Sequence, residues 1–160
     1  MRLAFYTYSY TDRLELPLEP ALEKIAAAGY DGIDISGTQG PSADPLSVTS
    51  DLRRRTRAAA AQLGLRIEAI ITHANLTDSL FTDTPLDLEG SVDLAVEVGA
   101  PLVVFHMGGA IGEPGETWRR VVEFLRGAAG YAAPRGVRLA VDGVWKDWIV
   151  ESPEDFLRLH

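Results

Sequence analysis

Residues 100–109 read APLVVFHMGG, a short apolar run that ends abruptly in a histidine and two glycines. The run Leu102–Phe105 shows no polar alternation, which predicts a strand buried on both faces, as in a parallel sheet covered by helices. In such sheets, polar side chains at the carboxyl ends of the strands, followed by loops, form the functional site. We therefore expect His106 to lie at a functional site.

A unit of one helix, one glycine and one strand recurs along the chain. The glycines that end the predicted helices lie roughly 35 residues apart: Gly29, Gly64, Gly99 and Gly136. Each of them is followed within a few residues by a predicted strand. The spacing is close to the length of one βα unit in a barrel of eight units, which spans roughly 250 residues in total.

The pattern predicts five strands: Arg2–Tyr8, Gly32–Ser36, Arg66–Thr72, Leu102–Phe105 and Arg138–Val141. Apolar residues at helical spacing, together with proline and acidic residues at helix starts, predict the helices between them. These helices cover about 18–28, 51–63, 84–98 and 118–129, and a last one starts at 152. The order of elements is that of an α/β protein with a parallel (βα) repeat.

Two architectures fit five βα units, namely part of a (βα)8 barrel and an open, flavodoxin-like sheet. Nearly every predicted strand ends in a polar residue, as expected where all carboxyl ends surround one mouth. An open sheet instead concentrates such residues near its switch point. Strand alternation also groups small and branched residues with the histidines, as in a barrel interior: Ala69 and Ile71 with His73, and Leu102 and Val104 with His106. Both observations favour the barrel.

The composition fits one globular domain that can bury a core. The chain has 160 residues, of which 46% are hydrophobic and 24% charged, and no apolar run approaches the ~20 residues of a transmembrane helix. The first residues lack the apolar core and cleavage site of a signal peptide, so we expect a cytoplasmic protein with no membrane partner. Because cysteine is absent, disulfides, thiol nucleophiles and cysteine-based zinc sites are excluded.

Charge and missing motifs argue against further functions. A formal net charge of −8 predicts no nucleic-acid partner, because proteins that bind the phosphate backbone usually have a basic face. No Gly-x-Gly-x-x-Gly follows the first strand and no Gly-x-x-x-x-Gly-Lys-Ser/Thr loop occurs, so the nucleotide-binding signatures are absent. The Gly-x-Ser-x-Gly elbow of serine hydrolases is also missing.

Three polar residues follow consecutive predicted strands at their carboxyl ends, namely His73, His106 and Asp142. Two imidazoles and a carboxylate suit a divalent metal, or proton transfer next to a carbonyl group. The alternative is that all three are hydrogen-bonded caps of the strands, without a chemical role. Their shared position predicts one candidate site at one end of the sheet.

Aromatic residues lie near the same strand ends. Tyr8, in a polar aromatic cluster at the end of the first strand, is expected to line or cover the mouth of the site. Trp145 and Trp148 follow the fifth strand closely. They form either an apolar wall over a substrate or part of the packing of the last helix.

Five segments together make the sequence recognisable: LEPALEKIAAAGYDGIDI at 18–35, DLAVEVGAP at 93–101, the strand that ends in His106 with Gly108, GVRLAV at 136–141 and SPED at 152–155. In these segments the chain resembles the sugar phosphate isomerase/epimerase family, within the xylose-isomerase-like TIM barrel superfamily. The type IV apurinic endonucleases are related members of that superfamily. The resemblance covers the whole chain.

The resemblance implies an enzyme that isomerises, epimerises or dehydrates small sugars, keto sugars or polyols by moving a proton next to a carbonyl group. A divalent metal (Mn, Mg, Co or Zn) would lie at the mouth of the full-length barrel, with Asp142 as one ligand. His106 and His73 would be the catalytic residues. They would also bind the substrate, together with Tyr8 and Trp145.

Two departures from the family pattern shape the expectation. Relatives usually have Glu at the position of Asp142, and many have Pro-His where this chain has Gly143 and Val144. In addition, residues 1–160 match about five of the eight units, which predicts a single partial barrel domain without units six to eight. Metal binding should then be weak or absent, because those units supply further ligands.

Other readings of a partial barrel stay open. Exposed sheet edges favour self-association, so one alternative is a catalytically inactive, truncated barrel that associates with itself. A second alternative is an activity like that of the DNA-repair endonucleases, which the acidic net charge disfavours.

Overall fold

The computed structural model describes residues 1–8, 18–37, 48–81, 86–142 and 146–159, and for residues 73 and 74 the backbone only. The strands are β1 (Ala4–Tyr6), β2 (Gly32–Ser36), β3 (Arg66–Asn75), β4 (Leu102–His106) and β5 (Arg138–Asp142). The α-helices are α1 (Leu18–Ala27), α2 (Ser50–Gln62), α3 (Leu76–Phe81), α4 (Leu88–Val98), α5 (Pro114–Ala132) and α6 (Pro153–Leu159). A 3₁₀ turn over Ala133–Arg135 follows α5.

The five strands form one sheet in which their spatial order equals their order in the chain. The order is β1-β2-β3-β4-β5, and each neighbouring pair is parallel. A doubly wound sheet would reverse its strand order at a switch point, and the described sheet has no such reversal. The fold is therefore a partial TIM barrel with five parallel βα units, and the open, flavodoxin-like alternative is wrong.

The main core lies between the outer face of the sheet and the helices. Buried residues from both layers form one cluster, which includes Ile33, Ile70, Val103 and Phe105 from the strands and Leu22, Val92 and Val121 from the helices. Each of these strand residues is at most 1% exposed. Burying a side chain of this size contributes about 1.5–3 kcal/mol to the free energy of unfolding, so this layer holds the units together.

The inner face of the sheet is less completely covered. Register pairing places Ser36, Ile71, Val104 and Ala140 in one row across four adjacent strands. Within β4, Val103 and Phe105 are buried, whereas Leu102 and Val104 are only half-buried. The prediction that β4 is buried on both faces is therefore wrong for its inner face, because only the outer face is covered by helices.

The strand order and the parallel pairing are those of a barrel segment, in which the sheet curves and its inner face is concave.

Glycines end the helices as the repeat predicts. Gly29, Gly64, Gly99 and Gly136 all have left-handed φ angles, between 70° and 86°. At Gly99 this conformation directs the backbone N–H to the carbonyl oxygen atoms of Ala95 and Val96. The left-handed conformation costs glycine little, which is why the sequence marks these boundaries so well.

Several boundaries differ from the prediction. β1 is three residues long instead of seven, and β3 continues to Asn75, so that His73 lies within the strand and not after it. The predicted start of α4 at 84 and 85 lies outside the described residues, and its N-cap is Asp87, whose carboxylate accepts from the Gly90 N–H. Helix α3 was not predicted at all. Within the described part of the chain, no helix has the length and apolarity needed to cross a bilayer.

Candidate active site

Polar residues occupy the carboxyl ends of three adjacent strands. Asn75, the last residue of β3, pairs in register with His106, which in turn pairs with Asp142. Parallel register partners face the same side of a sheet. His106 and Asp142, two of the predicted site residues, are therefore neighbours at one end of the curved sheet, on the side of the concave face.

The His106 ring has a defined partner on β5. Its Nδ1 lies 3.3 Å from the backbone carbonyl oxygen of Asp142. A carbonyl oxygen can only accept a hydrogen bond, so Nδ1 carries the hydrogen in this contact. In the neutral ring, Nε2 is then the nitrogen with the basic lone pair. The Asp142 side chain itself is exposed to solvent.

Trp148 covers the His106 ring from the loop after β5. The two ring centroids are 6.0 Å apart and their planes are inclined by 72°, an edge-to-face arrangement that aromatic rings favour. The other tryptophan of this loop, Trp145, lies outside the described residues. The sequence shows two tryptophans shortly after Asp142, and the structure shows that Trp148 contacts the histidine.

The loops after β4 and β5 are joined to each other. Gly109 and Trp148 form an isolated antiparallel bridge, and the Ile149 N–H donates to the Gly108 carbonyl oxygen at 3.0 Å. Val150, next in the chain, is completely buried. Trp148 is thus held near the end of β4 by these backbone contacts and by the burial of Val150.

Helix α3 closes the junction between β3 and β4. The Thr77 N–H donates to the Met107 carbonyl oxygen at 3.0 Å, and Asn75 Nδ2 donates to Asp78 Oδ2 at 3.0 Å. Thr77 is fully buried. This short helix therefore fixes the loop that follows His106, although its six residues are too few to show helical periodicity in the sequence.

Two tyrosines stand at the end of β1. Tyr6 and Tyr8 stack with ring centroids 5.9 Å apart and planes inclined by 20°. Burial, followed by the charges of Tyr8, Asp142 and Asp34, raises the pKa of Tyr6 to about 12, against the opposing effect of the Ser36 hydroxyl. The Tyr6 phenol is therefore harder to deprotonate than an ordinary tyrosine, so it is neutral at physiological pH and can donate a hydrogen bond.

A further carboxylate lies deeper on the inner face. Asp34 is the register partner of Tyr6 on one side and of Ala69 on the other. Burial raises the pKa of Asp34, and the charge of Glu68 adds to the effect. Glu68 itself forms an ion pair with Arg66. These groups make the interior of the partial barrel polar below the mouth.

The described residues do not complete a metal site. No group of three His, Asp or Glu side chains in the described ranges is placed to hold a metal ion. Asp142 offers one carboxylate and His106 one imidazole, whereas zinc usually takes four ligands, magnesium six and calcium six to eight. His73 lies in β3 near the same end of the sheet, but its side chain is outside the described part. The metal role of Asp142 remains a prediction.

A model of the family described as xylose isomerase-like TIM barrel matches residues 22–160. A sequence comparison with curated proteins gave no match. The family match includes strands β2 to β5, and it therefore includes His106 and Asp142.

Solved structures match almost the whole chain. D-psicose 3-epimerase from Clostridium cellulolyticum H10, solved with D-tagatose, has a TM-score of 0.78 at 15% identity, over 99% of this chain and 58% of that chain. D-allulose 3-epimerase from Methylomonas sp., in complex with D-allulose, gives 0.75 at 17% identity, over 99% and 57%. A probable 3-DHS dehydratase from Bacillus anthracis, involved in petrobactin synthesis, gives 0.72 at 14% identity, over 99% and 58%.

At sequence identities of 14–17%, the similarity to these structures shows the fold alone. The chain spans less than two thirds of the length of each of these structures, and about 58% of the Clostridium epimerase.

Proposed function

This chain belongs to the xylose isomerase-like TIM barrel family, and from that premise we propose that it carries part of a sugar isomerase or epimerase site. The observation behind the proposal is the pairing of His106 with Asp142 at adjacent strand ends, beneath Trp148. The proposed substrates are small sugars, keto sugars or polyols. The proposed reaction moves a proton at a carbon next to a carbonyl group.

His106 is the proposed base. Imidazole is the side chain that most often transfers protons in enzymes, and the contact of Nδ1 with the Asp142 carbonyl oxygen makes Nε2 the acceptor. Nε2 would take the proton from the carbon next to the carbonyl group, and the bonding electrons would form an enediolate whose negative charge lies on the former carbonyl oxygen. Protonation of the same carbon on its other face by a second group, for which we propose His73, would epimerise the sugar. Delivery of the proton from His106 to the former carbonyl carbon, with the hydroxyl proton moving to the neighbouring oxygen, would isomerise it.

Other residues at the same end suit a polyhydroxylated ligand. The exposed Asp142 carboxylate would accept hydrogen bonds from sugar hydroxyl groups, and the neutral Tyr6 phenol would donate one. The ring of Trp148 provides an apolar surface for the C–H groups of a sugar. We also propose His73 as a second catalytic group, and we propose Tyr8 and Trp145 as substrate contacts because both follow strand ends in the sequence.

The described residues alone do not form a complete metal site. A divalent ion, when bound, would supply polarisation of the carbonyl oxygen. Asp142 is the residue that we propose as its ligand in this chain. D-Tagatose and D-allulose accompany two of the similar structures, so ketohexoses are the first substrates to test.

The test is proton exchange, because it detects the first half of the reaction alone. The chain is incubated in deuterium oxide with D-fructose, D-allulose or D-tagatose, with and without Mn²⁺, Mg²⁺, Co²⁺ or Zn²⁺. Proton NMR then follows the signals of the hydrogens next to the carbonyl group. We expect those signals to decay, and the rate to fall by roughly 100-fold or more in His106→Gln, as for other general bases.

Glu123→Gln is the matched control for Asp142→Asn, because Glu123 is a highly exposed carboxylate on α5. We expect Glu123→Gln to exchange as fast as the wild type and Asp142→Asn to exchange more slowly. A folded chain that exchanges no hydrogen of any of these sugars, with or without metal, would overturn the proposal in favour of an inactive barrel. Equal rates in the wild type and His106→Gln would remove His106 from the role.

A further inference from the structure

The segment 146–152, which we call the strap, crosses the loop after β4 and is fixed at several points. Trp148 bridges to Gly109, the Ile149 N–H bonds to the Gly108 carbonyl oxygen, and Val150 is fully buried in the core cluster. These contacts hold the chain at Trp148 and at the two residues that follow it. The backbone contacts of the strap therefore help to determine where the Trp148 ring lies.

The strap is also tied to helix α6. The Asp147 N–H donates to the Glu151 carboxylate at 2.8 Å, and Asp147 adopts a left-handed φ of 68°, a conformation that Asp tolerates better than most residues. At the other end, the Asp155 carboxylate accepts from the Ser152 N–H at 3.1 Å and from the Ser152 hydroxyl at 2.7 Å. The strap is thus bent at Asp147 and attached to the start of α6 through Ser152.

Gly109 allows the strap to approach closely. A β-carbon at this position would stand 3.3 Å from the carbonyl oxygen of Asp147, which is tighter than an ordinary van der Waals contact. A side chain at 109 would require the strap next to Trp148 to shift by a few tenths of an ångström. The absence of a side chain at Gly109 therefore allows the strap to lie close to the loop after β4, with Trp148 beside His106.

We propose that Trp148 is a positioning residue, which holds the His106 ring with Nδ1 towards the Asp142 carbonyl oxygen and so leaves Nε2 as the basic nitrogen. The hydrogen bond from Nδ1 is long, at 3.3 Å, and lies at a partly exposed position, so alone it selects this ring orientation only weakly. The edge-to-face contact with Trp148 disfavours ring positions in which the imidazole moves away from that carbonyl oxygen, by a factor of roughly 2 to 10.

The importance of this placement for catalysis rests on the proposed function, but the placement itself can be measured without a substrate. Long-range proton–nitrogen NMR of the ¹⁵N-labelled chain distinguishes the Nδ1–H from the Nε2–H form of a neutral histidine. The spectrum is recorded at a pH where the rings are neutral. The chain has three histidines, and His106→Gln identifies the signals of His106 by their loss.

We expect the Nδ1–H form to dominate in the wild type and to lose its dominance in Trp148→Leu. Trp148→Phe, which keeps an aromatic ring, should restore much of it. Tyr131→Leu is the matched control, because Tyr131 is also a half-buried aromatic residue but packs under the guanidinium of Arg135, 3.5 Å from the ring centroid. It should leave the His106 signals unchanged.

Gly109→Ala tests the same placement without altering either ring. We expect it to reduce the Nδ1–H form of His106, as Trp148→Leu does, while circular dichroism shows that the chain stays folded. If Trp148→Leu does not fold, this second variant decides the outcome. Unchanged His106 signals in a folded Trp148→Leu or Gly109→Ala chain would overturn the proposal. The expected NMR result in a chain without sugar exchange would instead retain the positioning and reject the proposed function.

Discussion

Gly108 is packed so closely against Thr77 that a β-carbon at position 108 would overlap the Thr77 hydroxyl oxygen. The N–H of Thr77 donates to the carbonyl oxygen of Met107, and the φ of Gly108 is 86°, in the left-handed region. The loop that follows His106 thus depends on the absence of a side chain for both its conformation and its packing.

Gly108→Ala should lower the free energy of unfolding by roughly 2–5 kcal/mol, because left-handed alanine costs about 1–2 kcal/mol and overpacking about 1–3 kcal/mol. Gly112→Ala is the matched control, since Gly112 has a similar φ of 75° but open space where the β-carbon would stand. Gly112→Ala should lower the free energy of unfolding only by the cost of left-handed alanine, about 1–2 kcal/mol. Urea unfolding measures both values, and equal losses would contradict the close packing of Gly108.

Much of the fold could be predicted because its signals are local. β2 has the predicted bounds, Gly32–Ser36, and Gly99 ends α4 in a left-handed conformation that few other residues adopt readily. Helix α3 could not be predicted, because one short turn of Leu76–Phe81 is stabilised by its contact with Met107. That contact exists only after β3 and β4 have paired.

The candidate site could be predicted only in part, for a similar reason. The strand ends of His106 and Asp142 are local features, and the βα repeat places them at one edge. The contact of Trp148 with His106 is different, because it depends on how two loops meet. The bridge between Trp148 and Gly109 joins two loops, and the sequence carries no signal for it.

Ile70 and Ile71 provide a direct test of where the core lies, because adjacent residues of a strand face opposite sides. Ile70 is fully buried on the outer face, whereas Ile71 is half-buried on the inner face. Ile70→Ala should lower the free energy of unfolding by about 2–5 kcal/mol, and Ile71→Ala by clearly less. Equal losses in guanidinium unfolding would mean that the inner face is packed as tightly as the outer one.

Asp34 should make the stability of the chain depend on pH. Its pKa is raised by burial and by Glu68, so the folded state disfavours the charged form. The contribution of the protonated group is fully present below the unfolded pKa, about 3.9, and is lost as the pH rises through the higher folded pKa. Asp34→Asn should therefore be more stable than the wild type at pH 7, with a difference that shrinks towards pH 4.

Urea unfolding of both chains at several pH values measures this difference. Glu123→Gln, which removes a highly exposed carboxylate, should show no comparable gain at pH 7. A wild type that is more stable than Asp34→Asn at neutral pH would show that the Asp34 carboxylate is stabilised by its surroundings.

β5 ends the described sheet, and an apolar groove runs along its outer side. Leu139 and Val141 of β5 line the groove together with Val122 and Leu125 of α5 and Leu159 of α6. An edge strand presents backbone N–H and C=O groups that can pair with another chain, and here an apolar surface lies beside them. We therefore predict that the chain associates with itself along β5.

Val141→Lys should weaken that association, because a second chain docked on β5 would have to bury the added charge without a partner. Val141 is half-buried, so the longer side chain can reach solvent in the monomer. Light scattering over a range of concentrations should give masses above 17.4 kDa for the wild type and values close to it for Val141→Lys. Val96→Lys, at an exposed position on α4, should associate like the wild type. A wild type that stays at the monomer mass at every concentration would show that the β5 edge is already protected in solution.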